Sequence, residues 1–204
     1  MINHLESFGW KGAFRGMRNP LQSHDKSDSN FNSLSLGKND LKLAKKLIKA
    51  GASHRKFLRQ IHIQCDITAP TNFFGEFATY QYVVSNSTSM MHKMGSTELT
   101  QTDFAENTDK RLINILNEKI KKYQWSKDVY GMNDNETKTF WRDMINSVPQ
   151  SFLYIRTVDF NYEVFLSMYF QRKNHKMEEW VEFCAQLRDE LPYICEFISV
   201  LEVK

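Results

Sequence analysis

Residues 61–83 read IHIQCDITAPTNFFGEFATYQYV, and the fold turns on how this stretch is divided. In its first eight positions Ile61, Ile63, Cys65 and Ile67 alternate with His62, Gln64, Asp66 and Thr68. That period of two places the apolar side chains on one face of a half-buried strand. Pro70 follows, and proline lacks the N–H a sheet ladder needs but suits the first turn of a helix. The spacing therefore predicts a strand over 61–68 that hands over to a helix through 71–83.

Working outward, Leu41, Ala44, Leu47 and Ile48 share one face of an amphipathic helix that begins near Asp40, a candidate N-cap, and stops at Gly51. Upstream, residues 15–39 are rich in Ser, Asn, Asp and Gly without periodicity and read as a long loop. Loops of that length bind something or stay disordered. Downstream, helical periods cover 109–125 and 136–146, SFLYIRTVDF (151–160) alternates as a second strand, and 161–172 and 176–191 are again helical. Helices interleaved with at least two strands imply an α/β or α+β architecture, a small sheet wrapped by helices, in a single domain over 1–204.

Composition narrows the class. The chain has 204 residues, 41% hydrophobic and 13% aromatic, which is enough for one substantial core. No apolar run approaches the roughly 20 residues that cross a bilayer, and residues 1–11 lack the pattern of a secretory signal, so a cytoplasmic location and no membrane partner are expected. Cys65, Cys184 and Cys195 form no C-x-x-C pair, and the histidines show no i, i+4 pair, so neither a disulfide framework nor a metal site is expected. Seven basic residues against one Asp in 40–60, and seven acids against two bases in 177–204, fit solvated faces, subunit contacts or a small polyanion site; no nucleic-acid partner is expected. G-x-G-x-x-G, the P-loop, H-E-x-x-H and G-x-S-x-G are all absent.

The most unusual composition lies in TYQYVVSNSTSMMHK (79–93), with seven hydroxyls, two side-chain amides and one permanent charge. Taken together, residues 51–93 and 148–180 resemble the flavin-dependent thymidylate synthase (ThyX) family. His54, the strand, Ala69-Pro70 and Ser89 fall at the family's spacing, with Glu76 in place of a Gln, Thr79-Tyr80-Gln81 in place of an Arg-His-Arg triplet, and Met91 and His92 in place of the Arg and Tyr after the serine. In the second block Val148-Pro149, Asn161 and Arg172 fall at the spacing of the family's strand and helix, with Glu163 and Ser167 as departures. Asn161 and Arg172 are eleven residues apart, about three helical turns, and so share a face.

The resemblance implies a homotetramer that binds FAD, a folate and a pyrimidine nucleotide such as dUMP, with sites between subunits. It implies that Arg172 grips the pyrimidine and stabilises charge on it, that Gln81, Asn86, Ser87 and Ser89 join it in holding the nucleotide, and that His54, Thr79, Tyr80, Gln81 and Asn161 contact the cofactor. Each has a plainer reading. Arg172 can be a surface arginine with its stem on Tyr169, His54 a capping or solvent residue, and Asn161 a strand terminator. The lost arginines weaken the grip on a dianion, since a neutral hydrogen bond contributes about half of a charge-assisted one. Arg15, Arg18, Lys26 or the 40–60 cluster are the candidates to replace them. Two functions follow: a flavin-dependent methyl- or hydroxymethyltransferase acting at C5 of a pyrimidine nucleotide, or a catalytically silent descendant that binds nucleotides, senses or interacts.

Overall fold

The computed structural model describes residues 1–203, apart from the side chain of His92. Its elements in chain order are β1 (Ile2–Phe8), α1 (Trp10–Arg18), α2 (Lys38–Lys49), β2 (His62–Pro70), α3 (Thr71–Phe77), β3 (Val84–Ser87), α4 (Met90–Lys93), α5 (Lys110–Tyr130), α6 (Asn135–Asn146), β4 (Leu153–Asn161), α7 (Tyr162–Arg172), α8 (Glu178–Glu190) and α9 (Ile194–Glu202). The strands form a four-stranded antiparallel sheet in the order β1-β2-β4-β3. The mixed helix and sheet class is the one expected. By contact the chain forms two compact units, Met1–Ile67 with Ala78–Ser85 and Thr157–Lys204, and Thr68–Phe77 with Asn86–Arg156.

In the first unit the alternation of 61–67 does what its period dictates. Ile61, Ile63 and Ile67 have no exposed surface and Cys65 only 2%, while Gln64 stays exposed. β1 runs antiparallel to β2, from Ile2 opposite Ile67 to Phe8 opposite His62, with an irregularity between Asn3 and Glu6. Aromatic rings dominate the core: Trp10 of α1 meets Tyr162 edge-on at 5.1 Å, and Phe197 of α9 meets Phe57 at 6.4 Å. Each large side chain so buried contributes roughly 1.5–3 kcal/mol.

The 15–39 segment departs from the expected loop at its start and in its organisation. α1 continues through Arg18, and single 3-10 turns follow at Asn19–Leu21 and His24–Lys26. The rest is closed around Asp40. That carboxylate accepts from Arg18 Nε at 2.7 Å, Ser27 Oγ at 2.8 Å, Ser29 Oγ at 2.6 Å and the Asp28 N–H at 3.2 Å. Asp40 is therefore a buried anchor inside α2 and does not cap it. The α2 entrance is served by Asp28, whose carboxylate accepts from the N–H groups of Asn39 and Asp40, and a Cβ at Gly37 would collide with that carboxyl. Burial works to raise the Asp40 pKa, but hydrogen bonds from Ser29, Ser27 and Arg18 outweigh it and hold the group below the usual carboxylate range.

In the second unit α5 presents Ile113, Leu116, Ile120 and Tyr123 to Met144 of α6, with Phe140 and Trp141 packed alongside. Both helices start on an aspartate cap: Asp109 accepts from the Arg111 N–H, and Asp134 from those of Glu136 and Thr137. Gly95 sits at φ +93°, where a Cβ would press on the Tyr123 ring. α3 buries Phe73, Phe74 and Phe77 on one face and then stops, six residues short of the expected helix end at 83. With that face complete, the chain turns through 78–83, Tyr82 taking the left-handed conformation at φ 62°, and enters β3.

Candidate functional site

Two sequence blocks meet in the first unit. The turn after α3 supplies Thr79, Tyr80 and Gln81, the start of α7 supplies Asn161 and Glu163, and its next turns supply Ser167 and Gln171; together they line a cavity of about 570 Å³. That volume lies in the range of small-molecule sites. α7 is held at its entrance by Asn161, which is 7% exposed and whose Oδ1 accepts from the Val164 N–H at 3.1 Å. The strand-ending role thus belongs to Asn161 Oδ1, while Nδ2 makes no hydrogen bond among the described residues.

Arg172 stands behind the wall of this cavity. Its Nε donates to the Tyr80 hydroxyl at 2.9 Å, the hydroxyl donates to Gln171 Oε1 at 3.0 Å, and Gln171 Nε2 donates to Ser167 Oγ at 3.0 Å. Its guanidinium lies 5.0 Å from the ring of the buried Trp180 and 5.8 Å from that of Tyr80, and its NH1 is 2.9 Å from His175 Nε2. Trp180 and Tyr80 are the rings it packs on, while Tyr169 carries Lys173. Arg172 is half-buried, and cation–π contact of this kind adds about 0.5–2 kcal/mol.

Two charges lie in the lining. Glu163 is paired, since Arg55 Nε approaches its Oε1 at 3.0 Å and its Oε2 at 2.9 Å. Arg59 is exposed and makes no ion pair or side-chain hydrogen bond among the described residues. It sits on the 3-10 turn Lys56–Gln60, whose Phe57 and Leu58 are buried at 3% and 0% exposure. The sequence signal for it is a buried apolar pair flanked by basic residues three apart, which a 3-10 turn puts on one side.

Other expected residues fall elsewhere. His54 is exposed in the turn after α2, its N–H bonded to the Gly51 carbonyl, and does not line the cavity. Asn86 and Ser87 are exposed on β3 within the second unit, as is Ser89, which precedes α4 and accepts from the Lys93 N–H. Met90 packs on the core of that unit and its sulfur accepts from the Tyr154 hydroxyl, whereas Met91 lines a separate cavity of about 390 Å³ with Met132 and Trp141. Arg18, considered as a replacement cation, is 4% exposed and committed to Asp40, so it cannot meet a ligand.

The remaining chemistry is quiet. Burial pushes the Cys65 and Cys184 thiols up to about 12, far from the thiolate a nucleophile needs. Among the described residues no group of three or more His, Cys, Asp or Glu could hold a metal ion, and no helix is long and apolar enough to cross a membrane.

No protein-family model matches this sequence, and no curated protein sequence does. Solved structures do match in fold. The flavin-dependent thymidylate synthase ThyX from Helicobacter pylori, complexed with FAD and dUMP, superposes with a TM-score of 0.68 at 13% identity, over 95% of this chain and 94% of that one. A second structure of the same enzyme with FAD and dUMP gives 0.68 at 13% identity, over 95% and 93%. The chain therefore has the ThyX-like fold.

Proposed function

We propose that the protein is a ThyX-fold nucleotide-binding protein that takes a pyrimidine nucleotide, and a flavin nucleotide with it, at the cavity of the first unit. The observation that carries this reading is the meeting of Thr79, Tyr80 and Gln81 with Asn161, Ser167 and Gln171 around one space of about 570 Å³. Uracil and the flavin ring present the same hydrogen-bonding edge, an N–H between two carbonyls, and side-chain amides and hydroxyls complement that edge. The H. pylori enzyme of like fold is described with FAD and dUMP, which agrees with this choice.

The residues present fit a nucleotide in kind: Gln81 and Asn161 for a ring edge, Thr79 and Ser167 for ring or sugar oxygens, Tyr80 for stacking, and Arg59 for phosphate. When bound, a flavin supplies the redox and one-carbon carrier chemistry that no side chain here provides. The chain's own part is to bind and orient, with Arg172 adding positive charge behind Tyr80 where charge would develop on a pyrimidine. In the enzymatic form of this reading a folate supplies the carbon delivered to C5, and a homotetramer completes the site. A silent, binding-only form is favoured by one specific observation: the Arg172 guanidinium is already engaged by Tyr80, His175 and Trp180.

Thermal shift with FAD, dUMP and dCMP, together with the visible spectrum of the purified protein, tests the reading. Saturating FAD or dUMP is expected to raise Tm by several degrees, since ligand at about 100 times Kd adds about 2.7 kcal/mol. Colourless protein that neither ligand stabilises would remove it. Turnover of dUMP with folate and reductant selects the enzyme; binding without turnover selects the silent form.

A further inference from the structure

The charge balance of the cavity leads beyond the ring to what the ring must carry. Among the lining residues only Arg59 and Glu163 are charged. The Glu163 carboxylate is met by Arg55 at 2.9 and 3.0 Å, and the two side chains are largely buried, 16% and 19% exposed, so their charges cancel locally. What remains is the exposed Arg59 guanidinium, which has no counter-charge among the described residues, in a lining whose other side chains are neutral. A cavity so built attracts a compact anion.

We propose that Arg59 is the phosphate anchor of this site, and that the protein selects nucleoside phosphates over the corresponding nucleosides through it. The inference rests on the nucleotide reading above and names its specificity-determining residue. Three features support it. The guanidinium is a planar fork whose paired N–H groups match two phosphate oxygens. Its backbone is held by the burial of Phe57 and Leu58, which immediately precede it in the turn, so binding has mainly side-chain freedom to restrain. Ser167, which also lines the cavity, adds a neutral hydroxyl suited to a remaining oxygen. The positive charge missing from the Thr79-Tyr80-Gln81 triplet is thereby replaced from a segment about twenty residues upstream.

Titration calorimetry with dUMP, deoxyuridine and inorganic phosphate, on the wild-type protein, Arg59→Gln and Arg59→Lys, tests this. The wild type is expected to bind dUMP about 10- to 100-fold more tightly than deoxyuridine, with a preference that shrinks as salt is raised. Arg59→Gln should erase that preference while leaving deoxyuridine affinity unchanged, and Arg59→Lys should restore part of it. Because Arg59 is exposed, the variants should melt with the wild type. If Arg59→Gln keeps the full preference for dUMP, the anchor is overturned while the pyrimidine cavity stands. If the wild type binds inorganic phosphate as tightly as dUMP and ignores deoxyuridine, the site is for phosphate alone and the selection proposed is wrong. Failure of the wild type to bind any of the three overturns both readings.

Discussion

In the segment between α1 and α2 the polar groups close on one another; in the turn between α3 and β3 they face a cavity. Both stretches are dense in hydroxyls and amides. In the first, a carboxylate with no exposed surface gathers Arg18, Ser27 and Ser29, and the residual donors of Arg18 go to the carbonyls of Ser23 and Lys26. In the second, Thr79 and Gln81 are exposed and Tyr80 half-buried, and the one compensated charge, Glu163, is matched from outside the turn. A polar stretch closes on itself where a buried charge gathers its donors, and lines a space where its groups find partners on a neighbouring helix.

Breaking the saturated stretch should have the largest effect. Asp40→Asn removes the charge opposite a guanidinium that is 4% exposed, and leaving such a group uncompensated costs about 3–5 kcal/mol, read by urea denaturation. Proteolytic cuts should then concentrate in 19–37. The same carboxylate sets an acid limb. Its folded pKa is lowered, so its contribution is complete above the unfolded value of about 3.9 and is lost as pH falls through the folded value. Stability below about pH 4 should therefore fall more steeply in the wild type than in Asp40→Asn. Parallel acid limbs would remove Asp40 from this role.

On the cavity side, Tyr80→Phe takes away the hydroxyl between Arg172 and Gln171. The groups involved are half-exposed, so about 1 kcal/mol, or about 3 °C in Tm, is expected. Nucleotide affinity should drop by more than stability does. Equal losses would assign Tyr80 to the scaffold and erase the contrast between the two stretches.

The smallest effect belongs to Arg156 on β4. Its Nε is buried and without an acceptor among the described residues, its guanidinium lies 4.3 Å from the Phe74 ring centroid, and burial lowers its pKa. Arg156→Met gives up that ring contact but relieves the desolvated donor, so chemical denaturation should show a change within about 0.5 kcal/mol. A large loss would mean that an unsaturated arginine matters as much as the saturated Arg18.

Much of the architecture was legible because burial differs sharply between faces. The strand expected at 61–68 and found at His62–Pro70, the helices α2, α5, α6 and α8, and the strand-to-helix junction at Asn161 follow from period, although Pro70 closes the strand and Asp40 does not cap α2. β1 was hidden because only Ile2 of the strand is buried, and the irregularity near His4, at φ 52°, breaks its alternation. α9 has a helical period, with Ile194, Phe197 and Ile198 as its buried residues, but the run is short and follows directly on Pro192, which closes the helix before it. The site was half visible. The family resemblance joined Thr79, Tyr80 and Gln81 to Asn161, but nothing in the sequence shows that Arg55 meets Glu163, 108 residues away, while Arg59 has no ion pair among the described residues.

The contact between Arg172 and Tyr80 imposes a direction. A guanidinium cannot receive a proton, so the phenol must pass its own onward to Gln171, which fixes how that amide is turned and makes its nitrogen the partner of Ser167. Four side chains are thereby oriented in series like dominoes, and the last, Ser167, lines the space with no acceptor for its own hydrogen among the described residues. What the series fixes at Ser167 is the accepted bond, while the hydroxyl's own hydrogen still turns about the Cβ–Oγ bond to suit its neighbour.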